Sequence, residues 1–220
     1  MLELLAEYDT LSLTPVEDDD CLARDGLTLQ TNWKTYVENA AINILHESFT
    51  HEAYRVSPEV PRVSNGERTF EITTEGPLMA FGFKLSDFAN TYQFGGQTPH
   101  LGFTQSAAPT RGFFITLYPN LAMPVRYNMM RFGICLPTSP SSSVVLQCGQ
   151  FHRDAVCHTQ FPAYHRDLVK RYAQVFDEDR TAVEAVQKGR RSPVWQQHFY
   201  APFWDDLHYY FNKLVAEDMS

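Results

Sequence analysis

The chain has 220 residues, 26 acidic against 18 basic side chains, and a formal net charge of −8. A hydrophobic fraction of 44% with 20% charged residues describes a globular domain able to bury a core, which excludes a disordered chain. The acidic balance and the lack of a polybasic stretch argue against a nucleic-acid binder and a membrane-surface protein.

The first twenty residues carry neither a basic n-region nor a long apolar run, so no secretory signal is expected. The most apolar stretch, 112–125, is broken by Pro119, Asn120 and Pro124 and cannot span a bilayer. A cytoplasmic protein is the expectation. Residues 1–25 read as a linker or extension and 26–220 as the core of a single domain. Residues 33–47 contain neither Gly nor Pro and predict a helix. Five β-rich runs follow at 68–74, 78–85, 112–118, 125–136 and 143–151, with PTSPSSS (137–143) as a turn between the last two. Apolar residues then recur with helical period over 163–189, which ends at Gly189, and again over 204–217. The connections between strands are too short for crossover helices. The predicted class is α+β: a curved antiparallel sheet covered by helices from both chain ends, with room for a cavity between them.

Four cysteines, Cys21, Cys135, Cys148 and Cys157, form no C-x-x-C pair and are expected to be reduced and mostly buried. More informative are polar residues where a core belongs. At about 100° per residue, Asp179 falls near 60° from Tyr164, inside the apolar stripe of its helix, while Asp177 and Glu178 fall outside it. A buried carboxylate needs either an arginine or a metal ion. Asn39, Asn43 and His46 share one face of the first helix, as a polar interior site or as a hydrogen-bonded structural cluster. His51 lies about 140° from His46 on an ideal helix, so the helix must bulge or end between them before both rings can meet. Two histidines and one distant carboxylate are the parts of a facial triad for non-haem Fe(II).

The segment NWKTYVENAAINILHESFTH (32–51) resembles the iron-site helix of the Rieske-type ring-hydroxylating oxygenases, in the catalytic domain of their large (alpha) subunit. FDEDRTAVEAVQKGRRS (176–192), with its E-D pair and E-x-x-Q-x-G, and LYPNLAM (117–123) are similar to two further signatures of that family, in family order. The resemblance implies a helix-grip (START/Bet v 1-like) fold. It assigns His46, His51 and Asp179 as ligands of a mononuclear Fe(II), and Asn43, Asn39 and Glu38 as surrounding or electron-transfer bridging residues. The implied activity is hydroxylation or demethylation of an aromatic or amine small molecule with O2, by a monooxygenase or dioxygenase reaction.

Two departures shape the expectation. No C-x-H or C-x-x-H pair occurs, so these 220 residues hold no 2Fe–2S cluster: either they are an excised or split catalytic domain, or a separate Rieske ferredoxin or reductase delivers the electrons. Asn43 stands where the family carries an acidic bridging residue. The family's trimeric habit makes a homo-oligomer the expected state. The competing reading is a catalytically silent helix-grip module that binds a small molecule. The other histidines, His100, His152, His158, His165, His198 and His208, have no partner spacing that singles them out. Trp33 is expected in the core, and Arg190 and Arg191 at the surface or an interface.

Overall fold

The computed structural model describes residues 4–5, 8, 13–15, 26–52, 59–85, 92–93, 96–97, 109–127, 129–195 and 199–220. Cys21, His100, His198 and most of the stretch 1–25 lie outside them. In chain order the elements are β1 (Leu13–Pro15), β2 (Leu27–Leu29), α1 (Trp33–Ala40), α2 (Ile44–Phe49), β3 (Val63–Ser64), β4 (Glu67–Arg68), β5 (Phe70–Glu75), β6 (Leu78–Lys84), β7 (Tyr92–Gln93) and β8 (Gly96–Gln97). There follow β9 (Arg111–Leu117), β10 (Leu121–Arg126), β11 (Met129–Ser139), β12 (Ser142–His152), α3 (Arg153–Val156), α4 (Phe161–Arg190) and α5 (Asp206–Asp218). The main sheet runs β1-β12-β11-β10-β9-β6-β5, antiparallel throughout, with β2 also paired to β12; β3–β4 and β7–β8 are separate hairpins. The expected α+β class with a large antiparallel sheet is therefore present. β1 falls within the stretch read as a linker or extension and pairs with the last strand.

Alternation along the strands sorts side chains into two layers. On β6, Met79, Phe81 and Phe83 face a core shared with Tyr36 and Val37 of α1, Ile44 of α2, Val183 of α4 and Leu207 and Phe211 of α5. Leu78 and Ala80 face the other way, with Phe113, Ile115, Met123, Val125 and Met130, against Tyr8. Phe161, Tyr164, Leu168, Tyr172, Val175 and Phe176 of α4 pack with Met129 and Phe151 of the sheet. The helices thus cover one face, and α4 spans from the edge of that face to its middle.

Three expectations are corrected. The run 125–136 is two strands, because β10 ends at Arg126 and Tyr127 takes a left-handed backbone (φ 43) before β11 starts at Met129. The helix expected over 33–47 breaks at 41–43. Asn43 turns extended there and its side chain accepts from the His46 amide, the hydrogen bond that makes Asn a helix start. The Ala41 carbonyl receives the Thr116 hydroxyl at 3.0 Å instead of a helical amide. Of the three described cysteines only Cys135 is buried, and none forms a disulfide; Cys148 and Cys157 are exposed. Trp33 is partly buried, edge-on to Phe211.

The two long sequence signatures dock on one another. Asn32 caps α1 by accepting from the Lys34 amide, and its own amide donates to Gln187 Oε1 at 2.8 Å. The Gln30 amide donates to Glu184 Oε1 at 3.0 Å. Arg190 pairs with Glu38 at 2.6 Å and donates to the Thr35 hydroxyl at 2.9 Å. Glu184, Gln187 and Arg190 therefore tie the end of α4 to the start of α1, which sets the distance between the two helices that carry the buried polar groups.

Candidate metal centre

His46 sits in the first turn of α2, on the helix that Asn43 starts. The helix ends at Phe49, and Thr50 closes it by donating to the His46 carbonyl at 2.8 Å. That early end swings His51 back, so the imidazoles meet at 76° with Nε2 atoms 2.8 Å apart. From α4, Asp179 brings Oδ1 to 3.1 Å from His46 Nε2 and 3.6 Å from His51 Nε2. All three side chains are buried.

The outer nitrogens fix what the inner ones offer. His46 Nδ1 lies 2.9 Å from the Asn43 carbonyl and His51 Nδ1 2.9 Å from Glu178 Oε2; both partners only accept, so both Nδ1 atoms carry the hydrogen. Each neutral ring then turns the lone pair of Nε2 inward, toward the carboxylate oxygen. Three lone pairs facing one another repel unless a cation lies among them. Their separations match neighbouring ligands around a metal with bonds of about 2.1 Å. Glu47, on α2 beside His46, is buried, and its Oε2 has no hydrogen-bond partner among the described residues. The donor set and this orphaned carboxylate oxygen both fit a divalent cation, and two imidazoles with one carboxylate suit Fe(II).

Without a metal, a proton takes that place. Burial pulls the His46 imidazole down, but the hydrogen bond and charge of Asp179, with Glu47, outweigh it and push it up to about 9. A folded-state value above the unfolded 6.5 contributes stability that is complete below pH 6.5 and is lost as the pH rises through 9. The metal-free protein is therefore expected to melt at a lower temperature at pH 9.5 than at pH 6. Asp179→Ala should flatten this dependence, and an equally steep curve in the variant would assign it to other groups.

The expected surrounding residues separate into distinct roles. Asn39 Nδ2 donates to Asp179 Oδ1 at 2.8 Å and orients the carboxylate. Asn43 starts α2 with its side chain and holds the His46 ring with its carbonyl. Glu38 points away to Arg190. The arginine alternative for Asp179 does not occur among the described residues; its partners are Asn39 and the two imidazoles. Glu178, placed outside the apolar stripe by angle alone, reaches from the edge of that stripe to His51. The quoted E-D pair held that information, but helical phase hid it, because a glutamate is long enough to span the difference. Among the other histidines, His208 is buried beside Asp205 and His165 stacks on Phe161.

A cavity opens beside the three donors, between helices and sheet. Its helix wall is Tyr36 and Ala40 of α1, Glu47 of α2, and Tyr172, Val175 and Phe176 of α4. Its sheet wall includes Ala122, Pro124 and Arg126, alternate residues on β10, and Met129, Arg131, Phe132 and Gly133 on β11. Arg126, Arg131 and Gln147 were not anticipated. They sit in β-runs whose facing cannot be known before the strand register is.

Fold and site together define an α+β domain whose sheet and helices enclose a cavity beside a buried cluster of two histidines and one carboxylate. The family model described as the ring hydroxylating alpha subunit (catalytic domain) matches residues 10–220, and the chain belongs to that family. Among solved structures it is similar to a quaternary ammonium Rieske monooxygenase in complex with an inhibitor (17% identity, TM-score 0.61, covering 90% of this chain and 50% of that one). A second structure of such an enzyme, described for carnitine oxidation by gut microbiota, gives 19% identity and a TM-score of 0.61 over the same shares. Dicamba monooxygenase bound to dicamba follows at 14% identity and a TM-score of 0.54, covering 88% of this chain and 57% of that one. At these identities the likeness concerns the fold, and the chain spans about half the length of the structures it matches. No curated protein matches the sequence. No helix among the described residues is long and apolar enough to cross a membrane.

Proposed function

We propose that this chain is the mononuclear iron domain of an oxygenase, with a helix-grip core over residues 26–220. Its reaction is the hydroxylation or demethylation of an aromatic or amine small molecule by O2. The observation that carries the reading is the convergence of His46 Nε2, His51 Nε2 and Asp179 Oδ1 with both outer ring nitrogens already engaged. When bound there, Fe(II) supplies the activation of O2 at the expense of two external electrons. Around it, Asn39 and Glu178 hold the ligands in orientation, and the apolar part of the cavity wall keeps bulk water from the donors. A Rieske ferredoxin or reductase is the electron source in this reading, a trimer is the assembly, and the cytoplasm is the compartment.

A second reading, a binding module without turnover, draws on Asn43. Its side-chain oxygen is engaged in starting α2, and as an amide it carries no charge to offer a bridging role. Anaerobic Fe(II) loading followed by O2 uptake with a Rieske ferredoxin–reductase pair separates the two. One iron per chain with donor-dependent O2 consumption is the expected result. Iron bound with persistent inactivity would favour the module, and failure to bind iron stoichiometrically would sink the oxygenase.

A further inference from the structure

We propose that Arg131 sets the size of the group that reaches the three donors: with its side chain across the cavity, the site takes a methyl group or a narrow alkyl chain and excludes an aromatic ring. This rests on the cavity being the substrate site of the reading above, which leaves both kinds of molecule open. The cavity has a volume of about 70 Å³. A protein cavity that holds one benzene ring measures about 150 Å³, so the space here is less than half of what an arene needs.

The side chain that takes up the space can be named. Arg131 leaves the sheet wall from β11, and its guanidinium carbon lies 3.6 Å over the ring centre of Tyr172 and 5.1 Å from that of Phe176, both on α4 in the helix wall. It also donates to Gln147 Oε1 on β12. All four residues line the cavity, so one side chain crosses it from sheet to helix. The guanidinium covers a face of Tyr172, the kind of surface on which a flat ligand would stack. Gly133, paired with Gln147 in the ladder, brings no side chain to the lining, so the wall beside Arg131 is already as low as a residue can make it. The groups that hold Arg131 are two rings and an amide, and no carboxylate pairs with it among the described residues. Shortening it therefore strands no opposite charge. Its contacts include none of His46, His51 and Asp179, so the donor set does not depend on it. What Arg131 contributes to the cavity is its length.

Toluene titration of the metal-free full chain tests this, read from the amide chemical shifts of Ala122 and Gly133 in the cavity wall. The parent is expected to show no saturable shift up to the solubility of toluene. Arg131→Ala should bind toluene saturably, at least about tenfold more tightly than the parent's detection limit. Arg131→Val, whose side chain suits a strand, opens the same space and serves where the alanine variant does not fold. Arg131→Met keeps the length without the charge and should exclude toluene as the parent does. Thermal melts and Fe(II) uptake like those of the parent show that a variant is intact. Saturable toluene binding by the parent, equal binding by the methionine and alanine variants, or exclusion by an intact alanine or valine variant would each overturn the proposal. Toluene admitted only by the shortened variants of a chain that takes up no iron would support the size limit and defeat the iron reading. Iron uptake with toluene bound alike by parent and variants would do the reverse.

Discussion

Asp179→Ala is expected to weaken Fe(II) binding at least 100-fold while the protein stays folded. In the proposed site Asp179 would supply the one anionic donor of the three, and an Fe(II) left with two neutral imidazoles would keep little of its charge compensation. Loss of a partner one bond further out already costs metal sites about 10–100-fold, so loss of the ligand itself should exceed that range. The fold should survive because the change unburdens the site. Asp179 and the charged His46 that it sustains are both buried, and alanine removes the carboxylate and the upward push on the imidazole together. What remains uncompensated is the Asn39 amide that donated to Oδ1, a loss of about 1–3 kcal/mol. Fe(II) titration under anaerobic conditions, with circular dichroism on the same samples, checks both halves. Iron affinity within threefold of the parent would remove Asp179 from the ligand set.

The legibility of this site in the sequence depended on which property each residue used. Asp179 stood out because helical phase places it in an apolar stripe, and α4 is regular over the whole stretch, so phase was a sound guide. The distance between His46 and His51 was legible only as a requirement that the helix stop. Of the two expected solutions, a bulge or an end, the structure uses the end, at Phe49. A separate break at Ala40 precedes His46, and there the Ala41 carbonyl accepts the hydroxyl of Thr116, on a strand far away in sequence. No local pattern in 33–47 announces that contact. Antiparallel strands were found in four of five runs, but the fifth hid a reversal at Tyr127, beside which the sequence offers Asn128 as the only turn-type residue and neither Gly nor Pro. The same gap explains why Arg126 and Arg131 passed unnoticed. Read as one strand, 125–136 would place residues 126 and 131 on opposite faces, since their separation is odd. The turn between them resets the alternation and brings both to the cavity.

Phe211→Ala should destabilise the domain by about 3–5 kcal/mol, the range for deleting a fully buried phenylalanine. Phe211 is completely buried at the point where α5 meets the main core. Its ring lies edge-on to Trp33 at 6.1 Å between centres and 5.9 Å from Tyr118, so one side chain joins the C-terminal helix to the start of α1 and to the end of β9. Tyr118 also donates to Asp218, at the last residue of α5. These contacts close the cluster that includes Val183, one turn beyond Asp179 on α4, and Val37, two residues before Asn39 on α1. The cavity left by alanine can collapse only by moving α5 against a strand and a helix that are fixed by their own pairings. A drop of roughly 10 °C in melting temperature follows for a domain of this size. The effect on the site should be the opposite of that of Asp179→Ala, because α5 contributes no donor. Below its lowered melting point the variant should bind Fe(II) as the parent does. Loss of iron affinity in the folded variant would mean that α5 sets the spacing of α1 and α4 directly, and that the ties from Glu184, Gln187 and Arg190 are not sufficient to hold it.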